Sequence, residues 1–381
     1  MDYKNSIKNQ MHIEEGLIYL NNASVGPLPK KSFETINFHN SIHATKGELI
    51  IDFEGIRTLW DELRQNVSRL VKGHKDGVTI TTNTGSGLHI VADGLQHLFK
   101  KGQNIIIPET EFVTNSFCWQ EVTKRHGLEF RTVPTTNGKI ELSDWEKLVD
   151  DKTIIVALSH VQFGNGFRSN LKEIANIAHS HDAFVVVDAI QSLGIVPFDV
   201  KNYDIDFVAA AGYKWLLGPY GTGLFYTKPE HIDLLQSILV GWFSTPEYEN
   251  LTHNEFKPWP DARKFQQTMI NPALNAFSES LETILNWDVS ESYKHVIKLL
   301  DYAIEEINEL NYCKINSPLD PAERSGIISV EINDSKHFVE ILRKNNIIAS
   351  IRRNGIRISP HAYNSKQEIS KLIDEVKKWV Q

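Results

Sequence analysis

Only two cysteines, Cys118 and Cys313, occur in 381 residues. Their spacing fits neither a disulfide framework nor a metal-ligand pattern, which points to a reducing interior. No run approaches the roughly 18 to 20 apolar residues that a membrane span needs. The opening MDYKNSIKNQMHIEEG is polar and has no apolar signal core, so a cytoplasmic protein is expected. Basic residues number 40 against 48 acidic ones, a net charge of −8, and no basic block is present. Neither a nucleic-acid partner nor a membrane partner is expected on that balance. Internal repeats, low-complexity tracts and Gly/Ser linkers are missing too.

What is present is an ordinary globular composition in a chain long for one core, so two closely joined domains are expected. From residue 77 to 228 short apolar runs alternate with amphipathic ones. GVTIT, NIIIP, TIIVALSHV, FVVVDA, FVAAAG and TGLFYTK read as strands. SGLHIVADGLQHLF places Leu88, Val91, Ala92, Leu95, Leu98 and Phe99 on one helical face. SDWE at 143–146 fits a capping box, and NLKE at 170–173 a looser version with Asn170. Continuous apolar strands separated by helices imply an α/β fold, a mainly parallel sheet covered on both faces. Ligands of such sheets bind beyond the carboxyl ends of the strands. After about residue 275 the texture becomes that of a smaller α+β domain, with one or two helices over 281–310 and the strand pair IIASI and GIRIS. The expected division is 16–275 and 276–381, with residues 1–15 packing on the second part.

The strand ends carry the chemistry. TNTGSG follows GVTIT and opens a helix, where free N–H groups attract anions. Alone it is as consistent with a turn and cap, and it matches neither a Walker lysine loop nor a G-x-G-x-x-G fingerprint. ETEFVTN follows NIIIP, and its Phe112 is either core or a ring that stacks on a flat ligand. Asp188 ends FVVV, where a carboxylate is costly unless a cation or donor pairs with it. The plainer reading is an N-cap; the sharper one is a partner for a protonated heteroaromatic nitrogen. Lys214 sits in AAAGYKWLLGPYGTGLFY, in apolar company. It either snorkels along Trp215 or is desolvated into a nucleophile able to form a Schiff base. Phosphate cradle, ring, aspartate and lysine in that order suit pyridoxal phosphate, which has an anionic phosphate, a flat ring, a ring nitrogen and an aldehyde.

The chain resembles the class V aminotransferase group of pyridoxal-phosphate enzymes, fold type I, which includes cysteine desulfurases, kynureninases and isopenicillin N epimerase-like proteins. YLNNASVGPLP, VVVDAIQSLG, GYKWLLGPYGTG and the R-x-S-x-x-x-Y-N pattern at 357–364 carry the likeness. It implies that Lys214 is the Schiff-base lysine, that Asp188 partners the pyridine nitrogen and that Gln191 bonds the ring hydroxyl. It implies a phosphate loop at Thr84, Gly85 and Ser86, ring stacking by Phe112, and substrate contacts from Arg357, gripping the α-carboxylate, and Asn22. Tyr213, where many relatives have histidine, is similar to the kynureninase tyrosine that reaches the phosphate and assists proton transfer. Kynureninases, though, usually have histidine where Gln191 stands. Thr268 replaces a glycine in a turn that approaches the neighbouring subunit's phosphate, and a homodimer is implied. ASIRRNGIRIS carries no cysteine loop before Arg357, which argues against persulfide chemistry. The expected activity is an aminotransferase acting on an amino acid; the alternatives are a lyase, an epimerase or, in another class, a catalytically silent binding protein. The joint presence of Lys214, Asp188, Gln191 and Arg357 argues against the last.

Overall fold

The computed structural model describes residues 7–47, 52–250, 255–267, 271–310, 312–352 and 355–380. Strand β1 (Ile18–Tyr19) precedes two helices, Lys30–Lys46 and Phe53–Val71. Then come β2 (Val78–Thr81), β3 (Asn104–Pro108), β4 (Glu129–Val133), β5 (Thr153–Ser159), β6 (Phe184–Asp188), β7 (Phe207–Ala211) and β8 (Gly223–Thr227). They form one seven-stranded sheet in the order β2-β8-β7-β6-β5-β3-β4. The paired neighbours from β7 to β4 are parallel, and β8 alone runs antiparallel to both of its neighbours.

Strand alternation explains the unbroken apolar runs. Val185 and Val187 point into one core with Val156 and Leu158, while Val186 points into the other with Ile155 and Ala157. Both faces are covered, so every position of β6 must be apolar until the chain leaves the sheet. It leaves at Asp188. The edge strand β4, with the sequence EFRTV, is half solvated and has no continuous apolar signal.

Strands β9 (Lys314–Ile315), β10 (Ile328–Glu331), β12 (Ser350–Arg352) and β13 (Gly355–Ile358) form an antiparallel sheet in the order β12-β13-β10-β9. Strand β11 (Ile347–Ile348) pairs instead with β1, in parallel. Helices Val289–Asn308, Ser335–Lys344 and Lys366–Val380 cover this part with a separate apolar core.

The packing divides the chain differently from a cut at 275/276. Ile18, Leu20 and Ala23 lie in the smaller core. The helix Pro272–Asn286 buries Leu274, Phe277, Leu281 and Ile284 in the large core, which also takes Ile7 and Met11. A parallel pairing with β11 draws the N-terminal strand across, a long-range contact that local periodicity does not register. The helical run after 281 is two helices, separated where Asp288 adopts a left-handed φ of 56° and caps Ser290 and Glu291. The expected capping box at Ser143 is not formed: the helix begins at Leu142, with Glu141 as its N-cap residue. Asn170 does cap, accepting the Glu173 N–H.

Candidate active site

Ser159 and Asp188 stand opposite each other in register at the ends of β5 and β6, and Lys214 follows β7 in a tight turn. Two glycines hold that turn close to its neighbours. A Cβ on Gly26 would meet the Lys214 carbonyl oxygen at 2.1 Å, and Gly26 donates its N–H to the Tyr213 carbonyl. Gly194, at φ +97°, passes 2.4 Å from the Trp215 carbonyl by the same measure. Lys214 is only 7% exposed and Asp188 only 2%. Burial pushes the Lys214 ammonium below its ordinary range; Asp188 opposes this, and Arg357 and Arg352 add to it. Burial also raises the Asp188 carboxyl, against a hydrogen bond from the Ile190 N–H at 2.9 Å and the pull of Lys214. The lysine does not snorkel to water. It is a desolvated amine facing a buried carboxylate.

The Lys214 Nζ lies 5.5 Å from the Phe112 ring centre and 5.9 Å from that of Tyr213. Phe112 leads into the helix Val113–His126 and packs edge-on against Phe163 at 5.1 Å. Tyr213 is half-buried and stacks on the exposed Tyr220. Gln191 is fully enclosed: its Nε2 donates to the Ala23 carbonyl at 3.0 Å, and its Oε1 accepts the Trp215 indole N–H at 2.9 Å. One amide N–H of Gln191 remains for a ligand. The other amide positions fix its orientation.

At the start of the helix Thr84–Gly94, Asn83 accepts the Ser86 N–H at 2.9 Å, and the Thr82 and Ser86 hydroxyls are 2.8 Å apart. The buried Thr84 hydroxyl has no partner among the described residues. A cavity of about 440 Å³ opens beside this loop, lined in part by Gly85, Ser86, Ile238 and Leu239. Lys214 and Asp188 are not in its wall.

Arg357 is fully buried on β13, donating from Nη1 to the Phe163 carbonyl at 2.8 Å and from Nη2 to the Ser24 hydroxyl at 2.5 Å, with its Nε unpartnered among the described residues. Arg352 on β12 donates to the same Ser24 hydroxyl at 3.1 Å. Strand alternation explains the meeting: Ser350 lies opposite Arg357, so Arg352, two residues on, shares its face. Asn22 donates to the Ser359 carbonyl at 2.9 Å and accepts the Tyr363 hydroxyl at 2.7 Å, tying the N-terminal segment to the R-x-S-x-x-x-Y-N stretch. Thr268, and Arg353 beside Arg352, lie outside the described residues.

Three further polar groups belong to this neighbourhood. Glu111, buried beside Phe112, accepts N–H groups from Phe112 at 2.9 Å and Ser159 at 2.6 Å, and also the Ser159 hydroxyl. Gln162 is buried, and its Nε2 has no partner among the described residues. Ser24 receives both arginines. Glu111 comes after Glu109 and Thr110, past the end of the apolar strand β3, so the sequence signal there fell on Glu109; Ser24 had none of its own.

The residues fit pyridoxal phosphate. A desolvated amine, a buried carboxylate, an aromatic face and an orphaned hydroxyl at a helix start answer its aldehyde, ring nitrogen, ring and phosphate. The family Aminotransferase class-V matches residues 18–372. A probable cysteine desulfurase of Pyrococcus abyssi is 25% identical, covering 96% of this chain and 95% of its own. The isopenicillin N epimerase of Streptomyces clavuligerus is 25% identical over 96% of each. The solved apo structure of a cysteine desulfurase from Thermococcus onnurineus superposes with a TM-score of 0.89 at 23% identity, covering 100% of this chain and 98% of that one. The fold is that of the type I pyridoxal-phosphate enzymes. This chain belongs to the class-V aminotransferase family, and it is a pyridoxal-phosphate-dependent enzyme, an aminotransferase or related lyase.

Proposed function

We propose that the chain transfers the amino group of an amino acid bearing a free α-carboxylate, with Lys214 as covalent anchor and proton carrier. When bound, pyridoxal phosphate supplies an aldehyde for the amine and an electron-withdrawing ring that acidifies the substrate α-hydrogen. Asp188 holds a proton on the ring nitrogen, and its burial makes that pairing strong. Lys214, whose ammonium is destabilised by burial, would carry the α-proton at its Nζ. Phe112 covers the ring, the Thr84–Ser86 loop receives the phosphate, and Arg357 offers a planar fork to the α-carboxylate. The observation that carries this reading is the pair of Lys214 and Asp188, buried at adjacent strand ends. Incubation with amino acids and an acceptor keto acid should yield the matching keto acid; ammonia or inverted substrate instead would replace transfer by elimination or epimerisation.

The lyase or epimerase reading has one observation of its own. Tyr213 places a second proton-bearing group near the Lys214 Nζ, and burial raises its hydroxyl above the usual range. We also propose that two copies pair over the exposed Ile238, Leu239 and Val240 beside the phosphate loop. Cys118 is buried in the core and Cys313 packs against the smaller core, so neither supports a persulfide step.

A further inference from the structure

We propose that Arg352 is a second anion-binding group of this site, and that the substrate is an amino acid whose side chain also ends in a carboxylate. The inference rests on the reading of Arg357 as the α-carboxylate fork. Two guanidinium groups converge on one neutral oxygen, the Ser24 hydroxyl, whose two lone pairs they fill. Among the described residues neither arginine makes an ion pair. Both are held below the ordinary guanidinium range by burial, and Arg357 is lowered further by the charge of Arg352. Desolvated cations of like sign are costly to bring together unless an anion joins them. The unpartnered Nε of fully buried Arg357 marks where hydrogen-bonding capacity is left open.

A single α-carboxylate brings one negative charge to two guanidinium groups. A dicarboxylic amino acid brings two, one for each fork, and charge-assisted pairs of this kind are the strong ones. Ser24 keeps both arginines in position before the ligand arrives, so little ordering remains to be done on binding. Arg352 is half-buried where Arg357 is fully enclosed, which suits a side-chain group rather than the invariant carboxylate.

The test uses the holoenzyme with aspartate and glutamate against asparagine, glutamine and alanine. The acids should exceed their amides about 100-fold in kcat/KM, chiefly through KM, as loss of one partner of a desolvated charge pair implies. Arg352→Gln should erase that preference and Arg352→Lys should restore part of it. Calorimetry gives an independent readout: succinate should bind at least about 10-fold tighter than butyrate, and Arg352→Gln should remove the difference. Equal rates for acids and amides, equal binding of succinate and butyrate, or an equal loss for aspartate and alanine in Arg352→Gln would each overturn the proposal. The last result would mean that both arginines grip one carboxylate. Amines without an α-carboxylate reacting as well as amino acids, with Arg357→Ala unimpaired, would remove the Arg357 reading itself and this inference with it.

Discussion

The Glu111 carboxylate accepts the backbone N–H of Ser159 at 2.6 Å, and Ser159 stands in register with Asp188. One buried acid thus fixes the strand end beside another, and also holds the Phe112 N–H. Burial raises the Glu111 carboxyl, against the hydrogen bonds from Ser159 and Phe112.

Glu111→Gln keeps the shape but turns an amide N–H toward one of these donors. A buried donor left without an acceptor costs about 1–3 kcal/mol. Chemical denaturation should show a loss of that order, and equilibrium dialysis should show weaker cofactor retention because Phe112 is no longer held. Unchanged stability and retention would mean that Glu111 is a bystander.

Asp188→Asn should fold normally and lose roughly two or more orders of magnitude in kcat. A neutral amide cannot keep the ring nitrogen protonated, and a buried pair is worth several kcal/mol, at about 1.4 kcal/mol per decade of rate. Steady-state turnover near the wild-type value would remove Asp188 from the ring-nitrogen role.

A third prediction concerns stability rather than catalysis. Asp206, buried at the other end of the sheet, accepts from His179 at 2.8 Å, His231 at 2.9 Å and Lys228 at 2.8 Å. Burial alone would raise its carboxyl, but the hydrogen bonds outweigh this and hold it far below the usual range. The hydrogen bond to Asp206 in turn raises His179. The carboxylate contribution is present above the unfolded value of about 3.9 and is lost on acidification below it. The histidine contribution is full below its unfolded value of about 6.5 and is lost as pH rises through the higher folded value. The melting-temperature gap between wild type and Asp206→Asn should therefore be widest between about pH 4 and 6.5 and narrow at alkaline pH. A gap that widens as pH rises above about 6.5 would contradict the assignment.

Much of this was legible in the sequence because a two-sided parallel sheet writes itself as unbroken apolar runs, and a charge that ends one is conspicuous. Asp188 and Lys214 were visible for that reason. The edge strand β4 was not, because half-solvated residues break the run. Nor was the pairing of β1 with β11, a contact set by tertiary packing. Ser24 could not be singled out, since its role comes only from two arginines more than 300 positions away folding onto it.

Leu239, 60% exposed between Ile238 and Val240, should lie between the two copies of a dimer. Leu239→Glu would place a charge in that apolar contact and should shift the protein toward monomer in multi-angle light scattering. A wild-type protein that is monomeric and fully active at assay concentration would refute the paired arrangement.

The central claim is that Lys214 holds the cofactor covalently. Borohydride reduction of the purified holoenzyme, followed by peptide mass mapping, tests it most directly. The account predicts loss of visible absorbance and a cofactor-sized mass on the peptide containing Lys214, absent from Lys214→Ala. A label on any other lysine, or undiminished labelling of the Lys214→Ala protein, would contradict it.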